Sequence, residues 1–286
     1  MNNIAERQNY PGNLQLLYAQ KQLYIEAKHI SNARTALSLL TAFYPFAALL
    51  LPVMSKYEWI TFMPLLIVSL VFPFFLARFE KNKVQLAASI QEKFDTTVFE
   101  MEWNPGSKLK RPLDEQIELA ADRFTGDKEK MLDWYSNIPA TLSREEAILR
   151  CQKANLFWDS EQRSFFMRVY LVVGIIAILV PFVWGNVMNY DMHHFTSRIF
   201  IPILPLVQLC FEKFTAHRRL SEKQAKLVQE INEQLGQPVS AHEALLRLHQ
   251  DIIFENRQEL SLVPEKIYDF LRPKLEKTMK SVNEKS

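Results

Sequence analysis

The chain has 286 residues, with 34 Lys and Arg against 32 Asp and Glu and a formal net charge of +2. That balance excludes a polyanion binder driven by bulk charge, and only 6 glycines exclude Gly-rich phosphate loops or a turn-dense all-β fold. Two cysteines, Cys151 and Cys210, exclude a disulfide framework and a Cys-rich zinc site. Mean hydropathy is -0.10, yet the apolar residues are segregated into long uncharged runs.

In chain order, residues 13–33 (NLQLLYAQKQLYIEAKHISNA) place Leu16, Leu17, Leu23 and Ile30 at mostly helical spacing. They predict an amphipathic helix within residues 1–34 that continues into the first apolar run. Every residue between Arg34 and Lys56 is uncharged, as is every residue between Glu58 and Arg78. A helix of roughly 20 residues covers the ~30 Å hydrocarbon layer, so each run is long enough to span it. A third run follows Arg168 and ends before Asp191; a fourth, Phe195 to Phe214, carries Arg198 near its start and Glu212 and Lys213 near its end. The expectation is a mainly α membrane protein with four transmembrane helices in two hairpins, 35–78 and 165–214. Residues 79–164 and 215–286 then form a mostly helical cytoplasmic part.

Lys and Arg set the orientation. They collect after the second run (Arg78, Lys81, Lys83, Lys93), before the third (Arg163, Arg168), and on both terminal flanks, while the hairpin tips hold only Lys56 and Arg198. Both termini and the middle segment are therefore expected in the cytoplasm, and Tyr57, Trp59, Trp184 and Tyr190 suit an outer aromatic belt. The polar first thirty residues argue against a cleaved signal peptide. Seven prolines in or beside the runs admit two readings, ordinary tolerance or a bundle built to change shape. No Asp, Glu, Lys or Arg lies at the centre of a run, which disfavours a proton relay.

In the middle segment a helical stretch to about Lys93 is followed by TTVFEMEWNPG, whose alternation suits a short strand ending at a Pro-Gly turn. Helices are expected near 114–124 and 128–135. Ser143 with Glu146 makes a capping box opening a stretch without Gly or Pro, read as one helix running into the third span or as a helix kinked near Arg163. Ser221 to Leu235 reads as a charged helix stopped by Gly236 and Pro238. Ser240 with Glu243 is a second capping box, opening a helix whose Leu245, Leu246, Ile252 and Ile253 form a packed face.

Catalytic constellations are absent, so the chain reads as a non-enzyme without a resident cofactor or metal. His193 and His194 beside Asp191 suit a solvated loop better than a metal site. Trp103, Trp134 and Trp158 with Arg111, Arg150, Lys153 and Arg163 admit a pocket where aromatics stack bases and Arg grips phosphates. Core aromatics with solvated charges are the weightier alternative.

Three strings, NIAERQNYPGNLQLLYAQKQLYIEAK, QEKFDTTVFEMEWN and CQKANLFWDSEQR, resemble the recurring blocks of the SMODS-associated four-transmembrane effectors. Those proteins accompany bacterial nucleotidyltransferases that make cyclic oligonucleotide messengers in anti-phage defence (CBASS). The resemblance implies an effector of the bacterial inner membrane that senses a cyclic di- or trinucleotide on its cytoplasmic side. It then assembles as a homo-oligomer or opens, so that loss of membrane integrity arrests the infected cell; no nucleic acid polymer is implied. Trp103, Asn104, Arg150, Asn155, Trp158, Asp159 and Arg163 sit in or beside the matching blocks and are the ligand-binding candidates, with Asn155 to Arg163 equally suited to a packing core. The alternative function is a non-enzymatic membrane scaffold or receptor signalling through its cytoplasmic helices.

Overall fold

The structure, a computed structural model, describes residues 2–50, 58–136, 138–235, 243–259 and 262. Its helices are α1 (Ile4–Arg7), α2 (Pro11–Leu50), α3 (Glu58–Phe99), α4 (Asp114–Asp122), α5 (Arg144–Val187), α6 (Met192–Phe195), α7 (Ile201–Leu235) and α8 (Glu243–Arg257). The chain divides into two compact units. Unit 1 comprises Met1–Ala27, Lys81–Arg163 and Arg219–Ser286; unit 2 comprises Lys28–Glu80 and Ser164–Arg218.

The length of the helices follows from the sequence. At ~1.5 Å per residue, a helix of about forty residues is roughly twice as long as the hydrocarbon layer is thick. Each long helix accordingly carries an apolar half and a charged half. Among the described residues three helices are long and apolar enough to cross a membrane, Phe62–Phe99, Arg144–Val187 and Met192–Leu235. The first apolar run lies on α2 as far as Leu50; the rest of it, and the hairpin tip through Tyr57, fall outside the described residues. Ser240, the second capping-box serine, and Gly236 and Pro238 also fall outside them.

Helices α3, α5 and α7 continue through Pro64, Pro73, Pro181 and Pro205. One local change does accompany a proline. Residues Thr196–Phe200 form a π turn immediately before α7, whose second residue is Pro202. A proline ring collides with the carbonyl four residues back, here that of Arg198, and the wider turn makes room for it.

In unit 2, α5 buries a stripe of small residues and proline (Ala177, Pro181, Gly185) and exposes Val172, Ile176, Leu179, Val180 and Val183. A helix that is apolar on nearly every face is one whose surroundings are apolar. Small residues let neighbouring backbones approach. A Cβ added at Gly185 would lie 2.6 Å from the Phe195 ring, so only glycine fits under that aromatic. Ala42, Ala177, Ile203, Leu206 and Cys210 form the packed interior, and His217 stacks between Phe166 (5.6 Å) and Tyr170 (5.8 Å).

Unit 1 has the larger core, with Leu17 and Leu23 of α2, Ile90, Phe94 and Val98 of α3, Ile148, Leu149 and Leu156 of α5, Ile231 of α7, and Leu246 and Ile253 of α8. The expected strand after Lys93 is corrected: α3 runs on to Phe99, and no strand occurs among the described residues. Phe94 and Asp95, and again Val98 and Phe99, are adjacent residues that are both buried while Thr97 is exposed, and such pairs share one face of a helix but fall on opposite faces of a strand. The helix ends in a Schellman motif. Glu100 adopts a left-handed conformation (φ 55), the Met101 N–H donates to Thr96 O at 2.9 Å, and the Glu100 N–H donates to Thr97 O at 3.4 Å. The stretch expected as a helix over 128–135 shortens to one 3₁₀ turn, Glu129–Met131, because Asp133 turns left-handed (φ 49) and exchanges hydrogen bonds with Asn9 (2.8 and 3.0 Å).

Two arginines close the end of α3. Arg7 donates to Val98 O at 2.7 Å, and Arg144 donates to Phe99 O at 3.0 Å and Glu100 O at 2.9 Å while pairing with Glu243 at 2.7 Å. The Ser143 capping box is half made: the Glu146 N–H donates to Ser143 Oγ at 3.1 Å, whereas the Glu146 carboxylate accepts from Arg150. Arg144→Met is expected to cost about 1–3 kcal/mol, since it leaves helix-terminal carbonyls without their donor. Urea unfolding of the detergent-solubilised protein measures it; an unchanged midpoint would show that Arg7 suffices.

Candidate functional site

Unit 1 contains a buried polar network built from four stretches of chain. On α3, Glu92 and Asp95 are one turn apart and turn inward among apolar neighbours, being 1% and 0% exposed. On α8, Arg247, Gln250 and Arg257 recur at helical spacing on the same side as the buried Leu246, Ile253 and Phe254. Opposite charge brings the two rows together. Arg247 Nη2 lies 2.6 Å from Glu92 Oε1, and Arg257 Nη1 lies 2.6 Å from Asp95 Oδ2. The Gln250 amide donates to Glu92 (2.7 Å) and to Asp95 (3.0 Å), and its oxygen accepts from Gln152 on α5 at 3.2 Å. Tyr135 donates to Asp95 Oδ1 at 2.6 Å and accepts from Asn155 at 3.0 Å.

The electrostatics follow from burial. Desolvation first, then repulsion from Asp95, pushes the Glu92 carboxyl up to about 7 against the opposing pull of Arg247. Burial and the Asp95 carboxylate raise the Tyr135 hydroxyl well above its ordinary range, so it stays a proton donor. The Arg257 guanidinium is held charged by Asp95 despite burial, and its Nη2 is a buried donor without a hydrogen-bond partner. Nothing in the network pairs a nucleophile with a base. Its chemistry is docking: it fastens α8 to the core through charge-assisted hydrogen bonds.

The seven residues expected to bind ligand are dispersed within unit 1. Trp103 packs edge-on against Phe254 (5.6 Å), and Asn104 donates to Asp251 at 2.7 Å, so both rest on α8. Asn155 enters the buried network through Tyr135. Asp159 pairs with Arg163 at 2.7 Å and accepts from Gln224 of α7; Arg163 is 6% exposed. Trp158 is half-buried, and Arg150 turns to Glu146 at 2.9 Å. Glu92, Asp95, Tyr135, Arg247, Gln250 and Arg257 escaped the sequence reading. The visible signal was acids at i, i+3 inside the apolar stripe Ile90–Phe94–Val98.

Asp191, His193 and His194 each place one donor atom within 4.8 Å of the others, and all three are exposed. Asp191 is engaged as the N-cap of α6: it accepts from the His194 N–H and lies 2.8 Å from His194 Nδ1, and these contacts hold its carboxyl below the usual range. Cys151 is fully buried in the core, and burial pushes its thiol well up, as suits packing rather than reactivity.

These features define a helical membrane protein whose charged unit is fastened by buried ion pairs. The chain matches the SMODS-associating 4TM effector domain over residues 2–286 and belongs to that family, as the three sequence blocks implied. It is similar to a "Probable CBASS effector molecule" of Bacillus cereus (strain VD146), 24% identical over 286 residues, covering 98% of this chain and 97% of the relative. No solved structure matches it.

Proposed function

We propose that the chain is a cyclic-oligonucleotide-activated membrane effector of anti-phage defence, with unit 1 receiving the messenger and unit 2 permeabilising the inner membrane. Family membership over nearly the whole chain carries this reading, and the relative's CBASS name supports it. Four spans in two hairpins, with both termini and unit 1 cytoplasmic, follow from the apolar runs and the placement of Lys and Arg. The activity is non-enzymatic and works through a homo-oligomer. Trp103, Asn104, Arg150, Asn155, Trp158, Asp159 and Arg163 bind the messenger at the surfaces where α5 and α8 are docked.

Gating requires the messenger to bind the permeabilising state better than the resting one. Each tenfold shift in population needs about 1.4 kcal/mol of differential affinity, and several sites in an oligomer multiply the effect. Liposomes containing the purified protein and an entrapped dye, titrated with cyclic di- and trinucleotides, test this. Leakage with one messenger and none with its linear analogue is expected. Silence across the panel from folded protein would favour the scaffold reading. Trp158→Ala with Arg163→Ala is expected to weaken messenger binding at least tenfold; parental affinity would remove those two residues from the site.

A further inference from the structure

Unit 2 encloses a cavity of about 190 Å³ between α2, α3 and α7. At ~30 Å³ per water this is room for about six waters or one small polar head group. Arg34 and Ser38 line it from α2, Ser69 and Phe74 from α3, and Gln208 and Glu212 from α7. Arg34 is the last charge before the first apolar run and Glu212 the first after the interior of the fourth. The charged end therefore lies at the edge of the apolar band, where lipid head groups sit, and the serines and Gln208 lie deeper. Gln208, Glu212 and Phe74 are exposed, so the cavity opens on the surface of the unit.

Arg34 is 6% exposed, and its hydrogen-bonding capacity is only partly used. Nη1 donates to the fully buried Glu80 at 2.8 Å; Nη2 reaches Glu212 at 3.3 Å; Nε is a buried donor with no protein acceptor. An oxyanion in the cavity would find its donor in Nη2, whose contacts to Glu212 are long at 3.3 and 3.5 Å, since Nε is closed off from solvent. Glu212 is half exposed and loosely held, a carboxylate able to receive a cation. Arg34 and Lys213 balance Glu80 and Glu212, so the set is neutral but has a donor end and an acceptor end. A net anion would face two carboxylates, whereas a zwitterion brings a charge to each end. The exposed Gln208 amide, one turn from Glu212, needs a hydrogen-bond partner in hydrocarbon.

We infer that this cavity binds the head group of an aminophospholipid, a phosphate diester joined to a protonated primary amine. The phosphate takes the Arg34 Nη2 side of the long Arg34–Glu212 pair, the ammonium takes Glu212, and the acyl-ester carbonyl lies within reach of Gln208 with the chain leaving over Phe74. The inference rests on unit 2 being the bilayer-embedded part and is independent of messenger gating.

Native mass spectrometry and thermal unfolding of delipidated protein in detergent test it, with phosphatidylethanolamine, phosphatidylcholine, phosphatidylglycerol and soluble glycerophosphoethanolamine added separately. One phosphatidylethanolamine per chain is expected to remain bound and raise the melting temperature. The choline lipid, which has no N–H to donate, should bind about tenfold more weakly, and the glycerol lipid less still. Glu212→Gln and Gln208→Leu should each lower retention about tenfold, and Gln208→Leu, at an exposed position, should leave lipid-free melting and helicity near parental. Equal retention of the three lipids, or retention unaffected by both substitutions, would overturn the site. Binding of the soluble diester as tight as that of the lipid would overturn the lipid assignment. Release of the chain from vesicles by an alkaline wash would overturn the bilayer reading and the site together; an integral protein without head-group preference overturns the site alone.

Discussion

Asp95→Ala is expected to destabilise unit 1 by about 3–5 kcal/mol, the cost of stranding a buried charge whose partner has been removed. Asp95 is completely buried and accepts three hydrogen bonds, from Tyr135, Gln250 and Arg257. Truncation leaves the Arg257 guanidinium, already carrying one unpartnered nitrogen, without its nearest carboxylate, leaves the Tyr135 hydroxyl without an acceptor, and leaves the Gln250 amide with Glu92 alone. Loss of this order is a large share of the stability of a domain. The expected readout is a lower urea midpoint by far-UV circular dichroism, with earlier proteolysis within α8 than elsewhere. Asp95→Leu combined with Arg257→Met should lose less than Asp95→Ala alone, because removing both charges leaves none uncompensated. Equal losses in the two variants would mean that the pair is not what fastens α8.

The second large effect is a pH dependence centred on Glu92. Its carboxyl is raised from an ordinary 4.5 to about 7 in the folded chain, chiefly by burial and then by the neighbouring Asp95. The folded state therefore binds this proton more tightly than the unfolded state does. The resulting stability is fully present below about pH 4.5 and is lost as pH rises through about 7. The limit of the effect is about 3 kcal/mol, since each tenfold gain in proton affinity contributes ~1.4 kcal/mol. Unfolding at pH 5.5 and at pH 8 should show the protein weaker at the higher pH. Glu92→Gln keeps an amide where the protonated acid stood and should flatten that difference; an undiminished slope would assign it to another group.

Residues whose partners are local were readable in the sequence. Leu16, Leu17 and Leu23 announced the inward face of α2, and all three are buried; the Ser143 cap opens α5 at the expected place; and α5 is continuous from Arg144 to Val187. Spacing failed where two periods fit equally. From Thr96 to Trp103 alternate residues and every fourth residue both trace apolar lines, and packing of Val98 beside Phe94 decided for helix. The surroundings of the ligand candidates were not legible in the same way. Trp103 and Asn104 were read as ligand groups with no view of Phe254 and Asp251, 151 and 147 positions away, against which they pack.

The sequence by itself determined the mainly helical class, the apolar runs long enough to cross a bilayer and the family, because each depends on the order of residues over a few turns. Only the tertiary structure decided that Glu92 and Asp95 meet Arg247 and Arg257, and that Arg34, Gln208 and Glu212 line one cavity. Buried ion pairs and cavities are made by segments distant in sequence, and whether a charged side chain faces water or an opposite charge depends on which helix packs over it.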